Sequence, residues 1–156
     1  MSVQYPFSGG PYLCAAILCE KVLEESGGVK SIIRIIDRLT IQPRVGTDST
    51  GEMSTFGFNL FLYIRFKSGQ ARGPMRLQIK MVKPSGESPT PVQRNINFEG
   101  EDDRGVDIVT DLKIGFDQAG LYWFHIILND FEITRLPFRV IYLPQIIETP
   151  PKTDNP

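Results

Sequence analysis

The densest group of chemistry-bearing side chains is the acidic run FEGEDDRGVD. Glu99, Glu101, Asp102, Asp103 and Asp107 are hard oxygen donors, the ligand type that Ca²⁺ takes from a loop between strands. Ca²⁺-binding sandwich modules draw on several acidic loops at one end. Here one loop is clearly acidic, with Asp48 and Asp117 as helpers and Arg104 among the donors. A solvated turn is the favoured reading. A Ca²⁺-dependent ligand or membrane-binding module remains as an alternative.

The second group is basic. Lys30, Arg34, Arg38, Arg65, Lys67, Arg76 and Lys80 fall on outward strand positions by alternation. On neighbouring strands they would make one positive face, suited to an acidic partner. Phe61 and Tyr63 share the outward side of Arg65 and Lys67, which is thin provision for base stacking. Cross-strand pairing with nearby acids is the plainer reading. The interaction candidates are Lys30, Arg34, Asp37, Arg38, Tyr63 and Arg65.

His125 is the one histidine, in YWFHIIL, and no partner for a general base is recognisable beside it. No Gly-x-Ser-x-Gly elbow, phosphate loop or dinucleotide fingerprint occurs. Cys14 and Cys19 have odd spacing, which puts them on opposite faces of a strand and argues against a mutual disulfide. They read as two small buried residues in a reducing compartment. The expectation is no catalytic residue and no cofactor.

The elements that must position these groups alternate with period two. FGFNLFLYIRF places Phe56, Phe58, Leu60, Leu62, Ile64 and Phe66 on one face. MRLQIKMV points Met75, Leu77, Ile79 and Met81 inward. VDIVTDLKIGF points Val106, Ile108, Leu112, Ile114 and Phe116 inward, with Thr110 among them. LYWFHIIL is apolar on both faces, as a central strand is. In FEITRLPFRVIYL, Arg135 and Arg139 face out. Pro137 lacks a ladder donor, so that strand lies at an edge or carries a bulge. DQAGLYWF resembles a tyrosine corner at Tyr122, without the cysteine two residues later.

The segment ILCEKVLEESGGVKSIIRIIDRLTI, from Ile17 to Ile41, admits two readings. EKVLEE is rich in helix formers, and Lys30, Arg34 and Arg38 have helical spacing. Ile32, Ile33, Ile35 and Ile36 favour strand, and EESGG suits a hairpin connection. On the strand reading Val29, Ile33, Ile35, Leu39 and Ile41 share one face. Leu18, Cys19, Glu20, Ser31, Ile32, Ile33, Ile35, Ile36, Asp37 and Arg38 resemble the opening motif of an uncharacterised family of bacterial all-β proteins, a domain of unknown function. GLYWFHIILND with LPFRVIY is similar to that family's closing hairpin. The resemblance spans roughly Leu13 to Leu143 and is strongest at Leu18–Arg38 and Gly120–Tyr142. It implies a hairpin and a β-sandwich, and it implies no activity.

Length and composition agree with one domain. The chain has 156 residues, 41% apolar and 22% charged, with net charge −1. A general nucleic-acid binder carries a basic excess, so nucleic acid is not the expected partner. No apolar stretch is long enough for a membrane span, and no basic region precedes the N-terminal apolar run, so a cytoplasmic protein is expected. The expected fold is a single antiparallel β-sandwich of seven or eight strands, immunoglobulin-like or C2-like, over residues 12–143, with flexible tails at 1–11 and 144–156. The expected function is a non-catalytic binding or scaffold module. It would take a protein partner, or a second copy, through an edge strand. An enzyme of unrecognised type is the remaining alternative.

Overall fold

Alternating apolar positions become nine strands in a computed structural model, which describes residues 6–42 and 52–144. They are β1 (Tyr12–Glu24), β2 (Lys30–Ile35), β3 (Arg38–Ile41), β4 (Phe56–Lys67), β5 (Arg72–Val82), β6 (Val92–Glu99), β7 (Gly105–Phe116), β8 (Gly120–Leu128) and β9 (Phe131–Tyr142). A single turn of 3₁₀ helix lies at Ser26–Gly28. The fold is all-β. The four-stranded sheet runs β2-β1-β4-β7 and the five-stranded sheet runs β3-β9-β8-β5-β6. The count therefore exceeds the seven or eight strands expected. The arrangement is also not wholly antiparallel, because β3 pairs with β9 in parallel.

One core joins the two sheets. Leu60, Leu62, Ile64 and Phe66 of β4 are fully buried, as their alternation requires. Phe66 meets Phe98 of β6 edge-on at 6.0 Å between centroids. Phe116 of β7 meets Tyr122 edge-on at 5.0 Å and stacks on Phe138 at 5.5 Å. Each of these pairs spans from one sheet to the other. Burying one such aromatic side chain contributes roughly 1.5–3 kcal/mol. Thr110 is the polar residue inside the apolar row of β7, and it is buried there.

The Ile17–Ile41 segment forms strands, not helices. Glu25 N–H donates to Val29 across the connection, and Gly27 and Gly28 take positive φ there. Cys19 is where β1 changes partner. Tyr12–Cys19 pair with β4, and Cys19–Glu24 pair with β2. The expected single strand face from Val29 to Ile41 is corrected. The chain leaves the first sheet at Ile36–Asp37 and enters the second. Ile36 N–H still bonds to Leu18, while Asp37 already accepts from Arg139 N–H. Ile33 and Ile35 are consequently exposed, whereas Ile41 is buried.

Pro137 sits opposite Trp123 on β9, just before the stretch 139–142 that β3 covers. Among the described residues no strand flanks the outer side of β9 at Pro137, so its missing N–H leaves no ladder bond unmade there. The bulge lies nearby, between Ile126 and Ile127 of β8, where β9 carries the extra residue.

The tyrosine corner forms. Tyr122 Oη donates to the Gln118 carbonyl at 3.0 Å and accepts from the Gln118 N–H at 3.2 Å. Burial pushes the Tyr122 hydroxyl pKa up. Beside it Lys83 Nζ bonds Asp117 at 2.7 Å, which holds the Asp117 carboxyl below its ordinary range. Phe7 packs against the core and meets Phe131 edge-on, so the packed body extends back beyond the expected start at residue 12. The expected loop at Pro43–Thr55 and the tail from Pro144 lie largely outside the described residues.

Candidate interaction surfaces

The basic residues do not form one face. The break at Asp37 divides them between two sheets, which corrects the reading of Lys30, Arg34 and Arg38 as one exposed row. Lys30 and Arg34 stay with the four-stranded sheet, and Arg38 opens β3 in the five-stranded one.

On the outer side of the four-stranded sheet, Arg65 of β4 sits directly opposite Asp107 of β7. Arg65 donates from Nε at 2.7 Å and from Nη2 at 2.9 Å, a bidentate pair. Tyr63 Oη also donates to Asp107, at 3.1 Å. The Arg65 hydrogen bonds, helped by Tyr63 and by the charge of Lys30, hold the Asp107 carboxyl below its ordinary range. Burial, together with the Asp107 charge, pushes the Tyr63 hydroxyl up. Tyr63 is buried rather than outward and open. Asp107 thus belongs to this cluster and not to the acidic loop.

The sheet curls so that the β1–β2 connection comes over this cluster. Gly27, Val29, Lys30, Ile32, Tyr63 and Arg65 are among the residues that line a cleft of about 600 Å³. Cys14 also lines it and is exposed, whereas Cys19 is fully buried, with its thiol pKa raised by burial. Only Cys19 matches the expected buried cysteine. Lys30 pairs with Glu24, and Arg34 with Glu20 at 3.2 Å.

The β2 edge is apolar. Ile33 is 40% exposed, Ile35 67% and the adjoining Val29 58%. Among the described residues β2 ends its sheet, and its outer N–H and C=O groups have no strand neighbour there. Arg34 lies within this edge at φ 51°, a left-handed conformation uncommon for a non-glycine residue.

The loop between β6 and β7 spreads its acids. Arg104 pairs with Glu101 at 3.3 Å and Glu99 at 3.8 Å, and Lys67 bonds the Asp103 carbonyl. Among the described residues no three His, Cys, Asp or Glu side chains converge as metal ligands. His125 has a partner that alternation did not reveal, Glu132 Oε2, at 2.6 Å from Nδ1. Among the described residues no helix is long and apolar enough to cross a membrane.

A model of the family of unknown function DUF6941 matches residues 14–141. The chain belongs to the DUF6941 family. This agrees with the resemblance carried by the opening motif. No protein of curated function matches in sequence. Among solved structures, the chain is similar to an immunoglobulin-like protein from Pseudomonas aeruginosa. That match has 12% identity and a TM-score of 0.37, over 79% of this chain and 90% of the other. It is also similar to the Pseudomonas fluorescens alkylpurine DNA glycosylase AlkC bound to DNA containing an abasic site analog. There the identity is 14% and the TM-score 0.38, over 67% of this chain and 27% of that one.

Two contacts of this DUF6941 chain escaped the sequence for one reason. Arg65 with Asp107 and His125 with Glu132 are cross-strand neighbours 42 and 7 residues apart. Alternation tells which side a residue faces, and register decides whom it meets. Alternation did place Arg135 and Arg139 outward, and Arg135 packs its guanidinium over the Trp123 ring at 4.9 Å.

Proposed function

We propose that the chain is a cytoplasmic protein-interaction module without chemistry of its own, and that it takes an extended strand of a partner protein along β2. The exposed apolar edge carries this reading. Ile33 and Ile35 stand at alternate positions on a strand that, among the described residues, has a neighbour on one side only. An added strand would satisfy the open backbone groups and cover both side chains, with main-chain bonds giving affinity and the isoleucines giving selectivity. The edge lacks the proline that protects β9, and Lys30 is turned into the cleft instead of guarding the strand. Arg34, 72% exposed in its side chain, favours a partner strand with an acidic residue between its apolar ones. The free thiols of Cys14 and Cys19 fit a reducing compartment.

The test compares wild type with Ile33→Lys and Ile35→Lys by affinity capture from the host and by light scattering. A captured protein lost from both variants, with backbone amides of β2 newly protected in hydrogen exchange, supports the proposal. A partner retained by both variants overturns it. A wild-type dimer that the variants dissolve replaces the partner strand with a second copy.

A further inference from the structure

The outer face of the five-stranded sheet gathers positive charge that the protein does not neutralise. Register sets Lys80 of β5 opposite His125 of β8, and His125 opposite Arg135 of β9. One step along, Arg139 of β9 lies opposite Arg38 of β3. Arg38 and Arg139 are thus like charges directly opposite on a ladder, an arrangement that is destabilising. The nearby acids are already engaged. Glu132 holds His125, Asp130 holds Arg76, and Asp37 holds Arg38. Among the described residues, Lys80, Arg135 and Arg139 have no acidic partner within ion-pair distance. The chain as a whole has net charge −1, so this face is a local segregation of charge.

We propose that this face docks an acidic segment of a partner protein, whose carboxylates are taken by Lys80, Arg135 and Arg139. The strand lattice sets Lys80 and Arg135 ~10 Å apart across two strand spacings, and Arg135 and Arg139 ~13 Å apart along β9. That spread suits carboxylates distributed along a peptide and exceeds what one small anion spans. Arg135 lies over the Trp123 ring at 4.9 Å, so part of its side-chain ordering is already in place before binding. The same contact disfavours nucleic acid. Trp123 is the aromatic residue of this face among the described residues, and a guanidinium already covers its ring, whereas base stacking needs open aromatic faces. The face lies on the other sheet from β2 and stands or falls independently of strand addition there.

Trp123 is the chain's single tryptophan, so intrinsic fluorescence reports on this surface directly. The probe is a peptide of alternating glutamate and glycine, titrated at low and high salt. The expected result is a change in Trp123 emission on binding, with affinity falling as salt rises. Arg135→Glu with Arg139→Glu should weaken binding about tenfold or more. Lys113→Glu, on the four-stranded sheet, should leave it unchanged. Should the Glu pair fail the circular-dichroism check for folding, Arg135→Gln with Arg139→Gln carries the same test. Absence of peptide binding, equal loss in Lys113→Glu, or tighter binding of a single-stranded oligonucleotide of the same charge overturns the proposal.

Discussion

Arg65 grips Asp107 by two hydrogen bonds, 2.7 and 2.9 Å long, across the β4–β7 ladder. The pair ties the inner strand β4 to the edge strand β7 of the curled sheet, on the side away from the core. Asp107 has a lowered carboxyl pKa because of Arg65, so the folded state favours its ionised form. The unfolded carboxyl binds a proton first as pH falls, which means the pair's stability is present above about pH 4. It is lost as pH falls through the lowered folded value. Arg65 is partly exposed, and solvent screening limits the pair to about 0.5–1 kcal/mol. Asp107→Asn should lower the urea midpoint at neutral pH. Its deficit relative to wild type should shrink steadily in acid. A deficit that is constant from neutral to strongly acidic pH would refute the assignment.

Tyr122→Phe removes an oxygen that serves both polar backbone groups of Gln118. The ring keeps its contact with Phe116, so the loss isolates the hydrogen bonds. Leaving backbone groups unpaired in a part-buried site costs about 1–3 kcal/mol. Urea denaturation should show a lower midpoint with an unchanged slope. A variant as stable as wild type would mean that water replaces the hydroxyl fully.

The strands were legible because alternation persists for many residues. Leu60 to Phe66 and Leu112 to Phe116 read as one-sided rows, and they are. The tyrosine corner was legible from DQAGLY because its partner lies four residues upstream, within local sequence. The path after Ile35 was not legible. IIRIID has the same composition on both sides of the break, and only the backbone turn at Arg34 and the bonds to Leu18 and Arg139 divide it. The cation cluster of Lys80, Arg135 and Arg139 needed register between β5, β8 and β9, which alternation within one strand does not carry.

The acidic loop makes a plain prediction about Ca²⁺. Asp107 is bound to Arg65, and Glu99 and Glu101 lie beside Arg104. Ca²⁺ needs six to eight oxygen ligands converging on one point. Thermal denaturation with and without millimolar Ca²⁺ should superimpose, and calorimetry should show no binding heat. A clear upward shift of the midpoint, abolished by Asp102→Asn with Asp103→Asn, would restore the Ca²⁺-dependent alternative.

Arg34 gives a prediction in which the sign is informative. Its φ of 51° is open to glycine and costs other residues roughly 1–2 kcal/mol. The ion pair with Glu20 at 3.2 Å is exposed and returns little of that. Arg34→Gly relieves the local strain but makes the unfolded chain more flexible, so the two effects nearly cancel and stability should be unchanged or slightly higher. Arg34→Val puts a β-branched side chain where it fits worst, and it should lower stability by about 1–2 kcal/mol. A strand with ordinary dihedrals at this position would give the reverse order, because valine favours strands and glycine weakens them. Thermal unfolding of the two variants side by side therefore reports whether β2 turns at Arg34, the residue from which the chain begins its passage to the second sheet.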